Sequence, residues 1–295
     1  MSEAPRDWTI RDIVGWMADD LKKRGVESAR LDAELVVAQA LGLDRVQIII
    51  QSQRLLAPSE LDAVRALFKR RRTLEPVAYL RGEREFYGRA FKVDRRVLVP
   101  RPDTEILVQV ALDRLAGREL YARVADLCTG SGCVGITLKL ELPTITLDAT
   151  DLSDGAIAVA RANAQRLGAV FGCSYRHGDL FEPLRDARGA PAHRYELVVA
   201  NPPYIAHGEI ATLQPDIRDH EPRLALDGGG DGLDIVRRIV AEAPGFLSPG
   251  GALAMEIGAE QAGAVASLLL ARGFRDVRPT KDYGGHERVV SGLFG

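Results

Sequence analysis

The sequence holds few of the residues that build disulfide frameworks or metal centres. Its three cysteines, Cys128, Cys133 and Cys173, are an odd and scattered set, unlike a secreted disulfide scaffold. Its five histidines form no cluster with cysteine at metal-ligand spacing, so no metal is expected. Charge of one sign is not in excess: 39 Lys and Arg face 41 Asp and Glu, for a net charge of -2. With no whole-protein positive field, nucleic acid loses weight as a direct partner. No run approaches the roughly 18 apolar residues of a membrane span. The first residues show no basic segment followed by an apolar run, so no signal peptide is expected. A cytoplasmic protein, monomeric and free of the membrane, is the simplest expectation.

What is present fits a globular enzyme, with 46% hydrophobic and 27% charged residues. The 295 residues suffice for two domains. Between residues 8 and 75, apolar side chains recur at Ile13, Met17 and Leu21, at Leu31, Leu35, Val36 and Ala40, and at Leu61, Val64, Leu67 and Phe68. These are the three-to-four spacings of amphipathic helices. Gly25 and Gly42 stand where helices end, and Pro58-Ser59 where one begins. Residues 1–75 carry 13 Lys and Arg against 12 Asp and Glu. The one basic cluster, Lys69-Arg70-Arg71-Arg72, reads first as a solvated helix end and second as a docking patch for an acidic partner.

Residues 77–100 change to β-rich runs around Phe86, Tyr87, Phe91, Val93 and Val97–Val99, with turns at Gly88 and Asp94-Arg95. This predicts a hairpin between two domains. Thr104 or Asp103 is the expected cap of a helix from Glu105. From about residue 120, β-rich runs at 123–127, 144–150, 173–177, 195–200 and 251–257 alternate with helical stretches such as 154–167 and 231–243. Such alternation predicts an α/β fold with a mostly parallel sheet. The runs 274–278 and 287–294 predict an antiparallel pair at its end.

Asp126-Leu127-Cys128-Thr129-Gly130-Ser131-Gly132 follows the first of these strands and precedes a helix from Cys133 to Leu140. Its glycines let a ligand approach the backbone. It is no P-loop, since it has no Gly-Lys-Ser/Thr. A dinucleotide loop wants a third glycine for close helix packing, and Gly135 fits that phase only loosely. Asp126 would repel a pyrophosphate but balances the ammonium and sulfonium charges of S-adenosyl-L-methionine. Asp151, 19 residues after Gly132, stands where an acid accepts from two ribose hydroxyls. Asp148 is the weaker competitor, turned away by strand alternation. Asp179 could accept from an adenine amino group, and Leu180 could pack on the ring.

Asn201-Pro202-Pro203-Tyr204 follows the fourth strand. The prolines fix φ and remove two donors, leaving carbonyl oxygens to face a ligand. An amide or exocyclic amino nitrogen is a poor nucleophile because its lone pair is delocalised. The Asn201 side-chain oxygen and the Pro202 carbonyl can hold its two N–H bonds while the lone pair faces a methyl group. Tyr204 offers an apolar wall.

Read together, these motifs resemble the release-factor glutamine methyltransferase (HemK/PrmC) family over nearly the whole chain. Pro100-Arg101-Pro102-Asp103-Thr104-Glu105, the stretch from Glu221 to Gly229 with Asp231-Gly232-Leu233-Asp234, and Asp282-Tyr283-Gly284 with Glu287-Arg288 resemble its other signatures. The resemblance implies a class I, Rossmann-like methyltransferase with a small N-terminal all-α domain. It divides the chain into a helical substrate-docking domain (1–76), a hairpin linker (77–102) and a methyltransferase domain (103–295). It also implies methyl transfer from S-adenosyl-L-methionine, with S-adenosyl-L-homocysteine as product, to N5 of the glutamine in the Gly-Gly-Gln motif of peptide chain release factors. Donor contacts then fall on Cys128 to Gly132, Asp151, Leu180 and Asn201, and substrate contacts on Asn201 to Tyr204.

Two positions depart from the family pattern. Cys128 replaces a usual glycine, and a positive φ there would cost about 1 kcal/mol. The expectation is an extended Cys128 tucked into the sheet, with a reactive thiol as the alternative. Leu180 replaces an aromatic that some relatives carry. The competing readings are a ribosomal-protein glutamine methyltransferase, a DNA or ribosomal-RNA amino-methyltransferase, and a non-catalytic donor-binding module.

Overall fold

The computed structural model describes residues 7–295. Residues 1–6, where the expected helical domain begins and where a leader would lie, fall outside them. Two compact units divide the chain: residues 1–82 with 215–220, and residues 83–214 with 221–295.

The first unit is helical. Its helices before residue 83 are α1 (Ile10–Lys23), α2 (Ala29–Leu41), α3 (Arg45–Ile50), α4 (Pro58–Arg71) and α5 (Val77–Arg81), and the short helix at Pro215–Arg218 also belongs to it. Thr9 and Asp12 close a capping box on α1, satisfying otherwise orphaned N–H groups. Ile10, Ile13, Val14, Met17 and Leu21 then turn one face of α1 inward. Gly42 ends α2 in the left-handed conformation.

The basic run at the end of α4 is partly paired with carboxylates. Arg70 pairs with Glu75, Arg71 with Asp32 of α2, and Arg72 with Asp20 of α1. Arg71 and Arg72 tie the end of α4 to α2 and α1, while Lys69 is exposed.

The expected linker at 77–102 is divided. Residues 77–81 are helix α5, whose Leu80 joins the core of the helical unit. Strands β1 (Glu83–Phe86) and β2 (Arg89–Lys92) form the expected hairpin, turning at Tyr87 and Gly88. That hairpin belongs to the second unit, because Phe86 and Phe91 are buried in the second unit's core.

The remaining elements are α6 (Glu105–Leu115), β3 (Arg123–Leu127), α7 (Cys133–Glu141), β4 (Thr146–Asp151), α8 (Asp154–Leu167), β5 (Cys173–His177), β6 (Tyr195–Ala200), α9 (Pro215–Arg218), α10 (Asp234–Phe246), β7 (Leu247–Glu256), α11 (Ala262–Ala271), β8 (Phe274–Lys281) and β9 (Glu287–Phe294). The seven-stranded sheet runs β5-β4-β3-β6-β7-β9-β8. Strands β3 to β7 are parallel, while β9 is antiparallel to β7 and to β8. The edge predicted from the last two β-rich runs is therefore present.

One face of the sheet packs on α6, α7, α8 and the hairpin; the other packs on α10 and α11. Strand order reverses between β3 and β6, which opens a crevice at the carboxyl ends of the strands. Helix α10 starts at Asp234 rather than at the expected residue 231, where the chain is still turning.

Candidate active site

A cavity of about 370 Å³ lies at that crevice, a size typical of small-molecule sites. All its lining residues belong to the second unit. Asp126 and Cys128 to Ser131 of the glycine-rich loop, Asp151, Asp179, Leu180, Asn201 and Pro203 line it, though Gly132 does not, together with Pro100, Arg101 and Thr104 from one signature and Pro222 and Asp227 from another. Arg101 and Glu221, 120 residues apart, join these two signatures through an ion pair of 2.7 Å.

Asp126 is spent largely on shaping the loop. Its Oδ2 accepts from the Thr129 hydroxyl at 2.6 Å and from Gly135 N at 3.1 Å. Burial pushes this carboxyl up to about 7, while those two donors hold it down. Gly135 is a close-approach glycine after all, since a Cβ there would lie 2.7 Å from Asp126 Oδ2 and 3.0 Å from Leu147. The dinucleotide-like packing of helix on strand is thus present, and it does not separate the two kinds of ligand. Gly132 caps α7 with φ at 81°, and a Cβ there would meet Ile136 at 2.5 Å.

Cys128 is not extended; its φ is 56°. The loop keeps the glycine-type conformation although the residue is cysteine. Burial first, then the carboxylates of Asp151, Asp126 and Asp179, push its thiol well up, so it is a thiol rather than a reactive thiolate. Leu180 is also left-handed, with φ at 46°, and is packed among core side chains beside the cavity. Two strained backbones thus border one cavity, a common feature of functional sites.

Asp151 ends β4 as expected. Its Oδ2 accepts from Gly130 N at 2.9 Å and its Oδ1 from Ser153 N at 2.8 Å. A carboxylate offers about four acceptor positions, so capacity remains for ribose hydroxyls. Burial raises its pKa and the two N–H groups oppose this. Asp148 is turned away, bonding Ser174 and the Tyr195 hydroxyl. Asp179 lines the cavity, but its Oδ2 is paired with Arg238 at 2.6 Å.

A buried amide unseen in the sequence anchors the loop. Asn163 of α8, 0% exposed, donates to Ser131 O at 2.9 Å and to Lys92 O at 3.0 Å, and accepts from Lys92 N at 2.7 Å.

Asn201 follows β6 at the cavity wall. Pro202 and Tyr204 are not among the lining residues; Pro202 is buried and Tyr204 half-buried. Asn201 Nδ2 donates to Thr104 Oγ1 at 3.4 Å. Thr104 therefore does not cap α6 with its side chain. Among the described residues no donor bonds to Asn201 Oδ1 or to the Pro202 carbonyl. The motif's far end is held by Gln261, which donates to Tyr204 O at 2.9 Å, and by Gly228 N, which donates to Ile205 O at 2.8 Å.

Glu256, at the end of β7, also escaped the sequence reading. It is 1% exposed and accepts from the Tyr204 hydroxyl at 3.3 Å. An acid closing an otherwise apolar strand was the one available signal.

The PrmC N-terminal domain family matches residues 12–82, and the methyltransferase small domain family matches residues 102–229. A release factor glutamine methyltransferase of Geobacter sulfurreducens is 44% identical over 295 residues, covering all of both chains. The chain belongs to the release factor glutamine methyltransferase family. A namesake from Bordetella pertussis is 44% identical over 264 residues, covering 89% of this chain and 94% of that one. In fold alone, a methyltransferase from Pyrococcus furiosus superposes with a TM-score of 0.52 at 14% identity, covering 78% of this chain and 98% of that one.

The protein is a methyltransferase, and its methyl donor is S-adenosylmethionine. The cavity fits that donor: Asp151 keeps acceptor capacity, and the left-handed loop lets a ligand approach its backbone.

Proposed function

We propose that this family member methylates N5 of the glutamine in the Gly-Gly-Gln motif of a peptide chain release factor, supporting translation termination. One observation carries the reading. Asn201 gives its NH₂ group to Thr104, so its oxygen and the Pro202 carbonyl are left as a pair of acceptors. A primary amide nitrogen, with two hydrogens and no charge, is the group that such a pair holds.

Bound S-adenosylmethionine supplies an electrophilic methyl group on a sulfonium. Asn201 and Pro202 hold the two N–H bonds and turn the lone pair toward that methyl. Tyr204 and Pro203 confine the amide plane. As the N–C bond formed, the S–CH3 bond would break, S-adenosylhomocysteine would leave and the nitrogen, by then acidic, would release one proton to solvent, so no strong base is needed. Positioning of this kind is worth up to roughly 7–11 kcal/mol. Donor contacts in this reading fall on Asp126, Cys128, Thr129, Gly130, Ser131, Gly132, Asp151, Asp179, Leu180 and Asn201. The helical unit docks the release factor, and the enzyme acts as a cytoplasmic monomer.

Purified protein and labelled donor should modify release factor, but neither ribosomal subunits nor naked DNA. Label confined to a ribosomal protein or to nucleic acid would overturn the assignment.

A further inference from the structure

Pro202 and Pro203 have no N–H to donate, so between Asn201 and Tyr204 the backbone can be pinned only through its carbonyls. One side chain does this at Tyr204. Gln261, in the turn between β7 and α11, donates from Nε2 to Tyr204 O at 2.9 Å and reaches Gly232 O at 3.5 Å, while its Oε1 accepts from Gly258 N at 2.9 Å. A primary amide has two N–H donors and one oxygen, so both of its ends are engaged. Gln261 also stands at the N-cap of α11, where Ser, Thr, Asp or Asn is preferred, yet its side chain makes no cap hydrogen bond. It is turned back onto the motif instead. Gly232 leaves room for this: its φ is 77°, and a Cβ there would collide with both Tyr204 O and Gln261 Nε2. The same turn starts from buried Glu256, whose Oε1 accepts from the Tyr204 hydroxyl at 3.3 Å. Tyr204 is thus held from one turn at its carbonyl and at its phenol.

We propose that Gln261 is a positioning residue for methyl transfer: by fixing the Tyr204 carbonyl it fixes the backbone from which Asn201 and the Pro202 carbonyl hold the substrate amide. This role rests on the glutamine reading above. Gln261 is not among the residues lining the cavity, so it acts through Tyr204 and not on a ligand. With φ fixed at two successive prolines, few torsions remain to absorb a displacement of Tyr204 before it reaches Pro202 O. A reacting group misplaced by about 1 Å can lose on the order of 100-fold in rate, so a tie outside the cavity can still govern turnover.

The experiment measures kcat and KM on release factor for the full chain, with affinity for S-adenosylhomocysteine and melting temperature read alongside. Gln261→Glu is the main variant. It keeps the shape and the oxygen that accepts from Gly258, but sets a carboxylate oxygen against Tyr204 O. Gln261→Met, of similar length, removes the donor without adding charge, and serves if Gln261→Glu does not fold. In both, kcat per folded molecule should fall by about tenfold or more. KM for release factor should stay within about threefold, because the lost contact acts at the reacting group. Affinity for S-adenosylhomocysteine should stay within about twofold, since no cavity residue changes. Glu260→Gln, an exposed neighbour on the same turn, should match wild type. A merely structural tie would lower the melting temperature of Gln261→Glu and Gln261→Met and leave kcat per folded molecule at the wild-type value, which would overturn the proposal. A rise in KM alone, or a Glu260→Gln as slow as Gln261→Met, would overturn it as well. A wild type that methylates no release factor sinks the glutamine reading, and this role with it.

Discussion

Asp151 Oδ2 accepts the backbone N–H of Gly130 at 2.9 Å, so the acid that ends one strand is tied to the loop that follows its neighbour. Asp151→Ala removes that tie and, on the proposed reading, the acceptor for the donor's ribose. A hydrogen bond to a charged group is worth about 1.5–3 kcal/mol, so affinity for S-adenosylhomocysteine should fall by about tenfold or more. Titration calorimetry reads this directly, and unchanged affinity would remove Asp151 from the donor site.

Cys128 holds a left-handed backbone that favours glycine. Cys128→Gly relieves strain of about 1–2 kcal/mol but adds about 0.5–1 kcal/mol of unfolded-state entropy. Stability should therefore rise by between about 0 and about 1.5 kcal/mol, and activity should persist. Cys128→Val, β-branched in the same conformation, should destabilise by about 1–3 kcal/mol. Urea denaturation of the pair checks both. A Val variant as stable as wild type would show that the loop can relax.

Arg71 and Asp32 are paired at 2.8 Å with their side chains only 6% and 8% exposed. Arg71→Ala leaves a buried carboxylate alone and should cost about 3–5 kcal/mol. Joint replacement by Arg71→Met and Asp32→Leu should recover most of that loss. Denaturation midpoints of the single and double variants decide it. Equal losses in both would mean that the pair is not what holds α4 to α2.

Asp126 is pushed up to about 7 by burial. A carboxyl whose folded pKa exceeds its unfolded value favours the fold while protonated. That advantage fades as pH rises from the unfolded pKa, about 4, to the folded one, and the cost is complete above it. Asp126→Asn is neutral at every pH. Its melting temperature relative to wild type should therefore rise between pH 5 and pH 8. A difference independent of pH would show that Asp126 is ionised throughout.

The elements of the second unit were legible where composition leaves one solution. Arg123–Leu127, Tyr195–Ala200 and Glu287–Phe294 are β-rich runs bounded by turn residues, and they form strands β3, β6 and β9. The hairpin at Phe86 and Phe91 was legible as a hairpin, but not in its allegiance, because only packing shows which core takes the two rings. Likewise the sequence marks Lys69–Arg72 as basic but cannot show carboxylates arriving from α1 and α2.

Of the motif residues read from the sequence, Cys128 to Ser131, Asp151, Asn201 and Pro203 line the cavity, whereas Gly132, Pro202 and Tyr204 do not. The supports of the site were not legible. Thr104, Asn163 and Glu256 act through partners far along the chain, and each alone reads as a helix cap, a surface amide or a strand-end acid. The error over Cys128 has the same root: the loop's closure fixes φ there, and the residue type does not.

The amide of Asn163 grips Ser131 on one side and Lys92 on the other with no exposed surface between them. The donor loop and the hairpin therefore cannot fluctuate independently. Whatever free energy a ligand spends in steadying Ser131 is shared at Lys92, and a contact that steadies the hairpin returns the same amount to the loop.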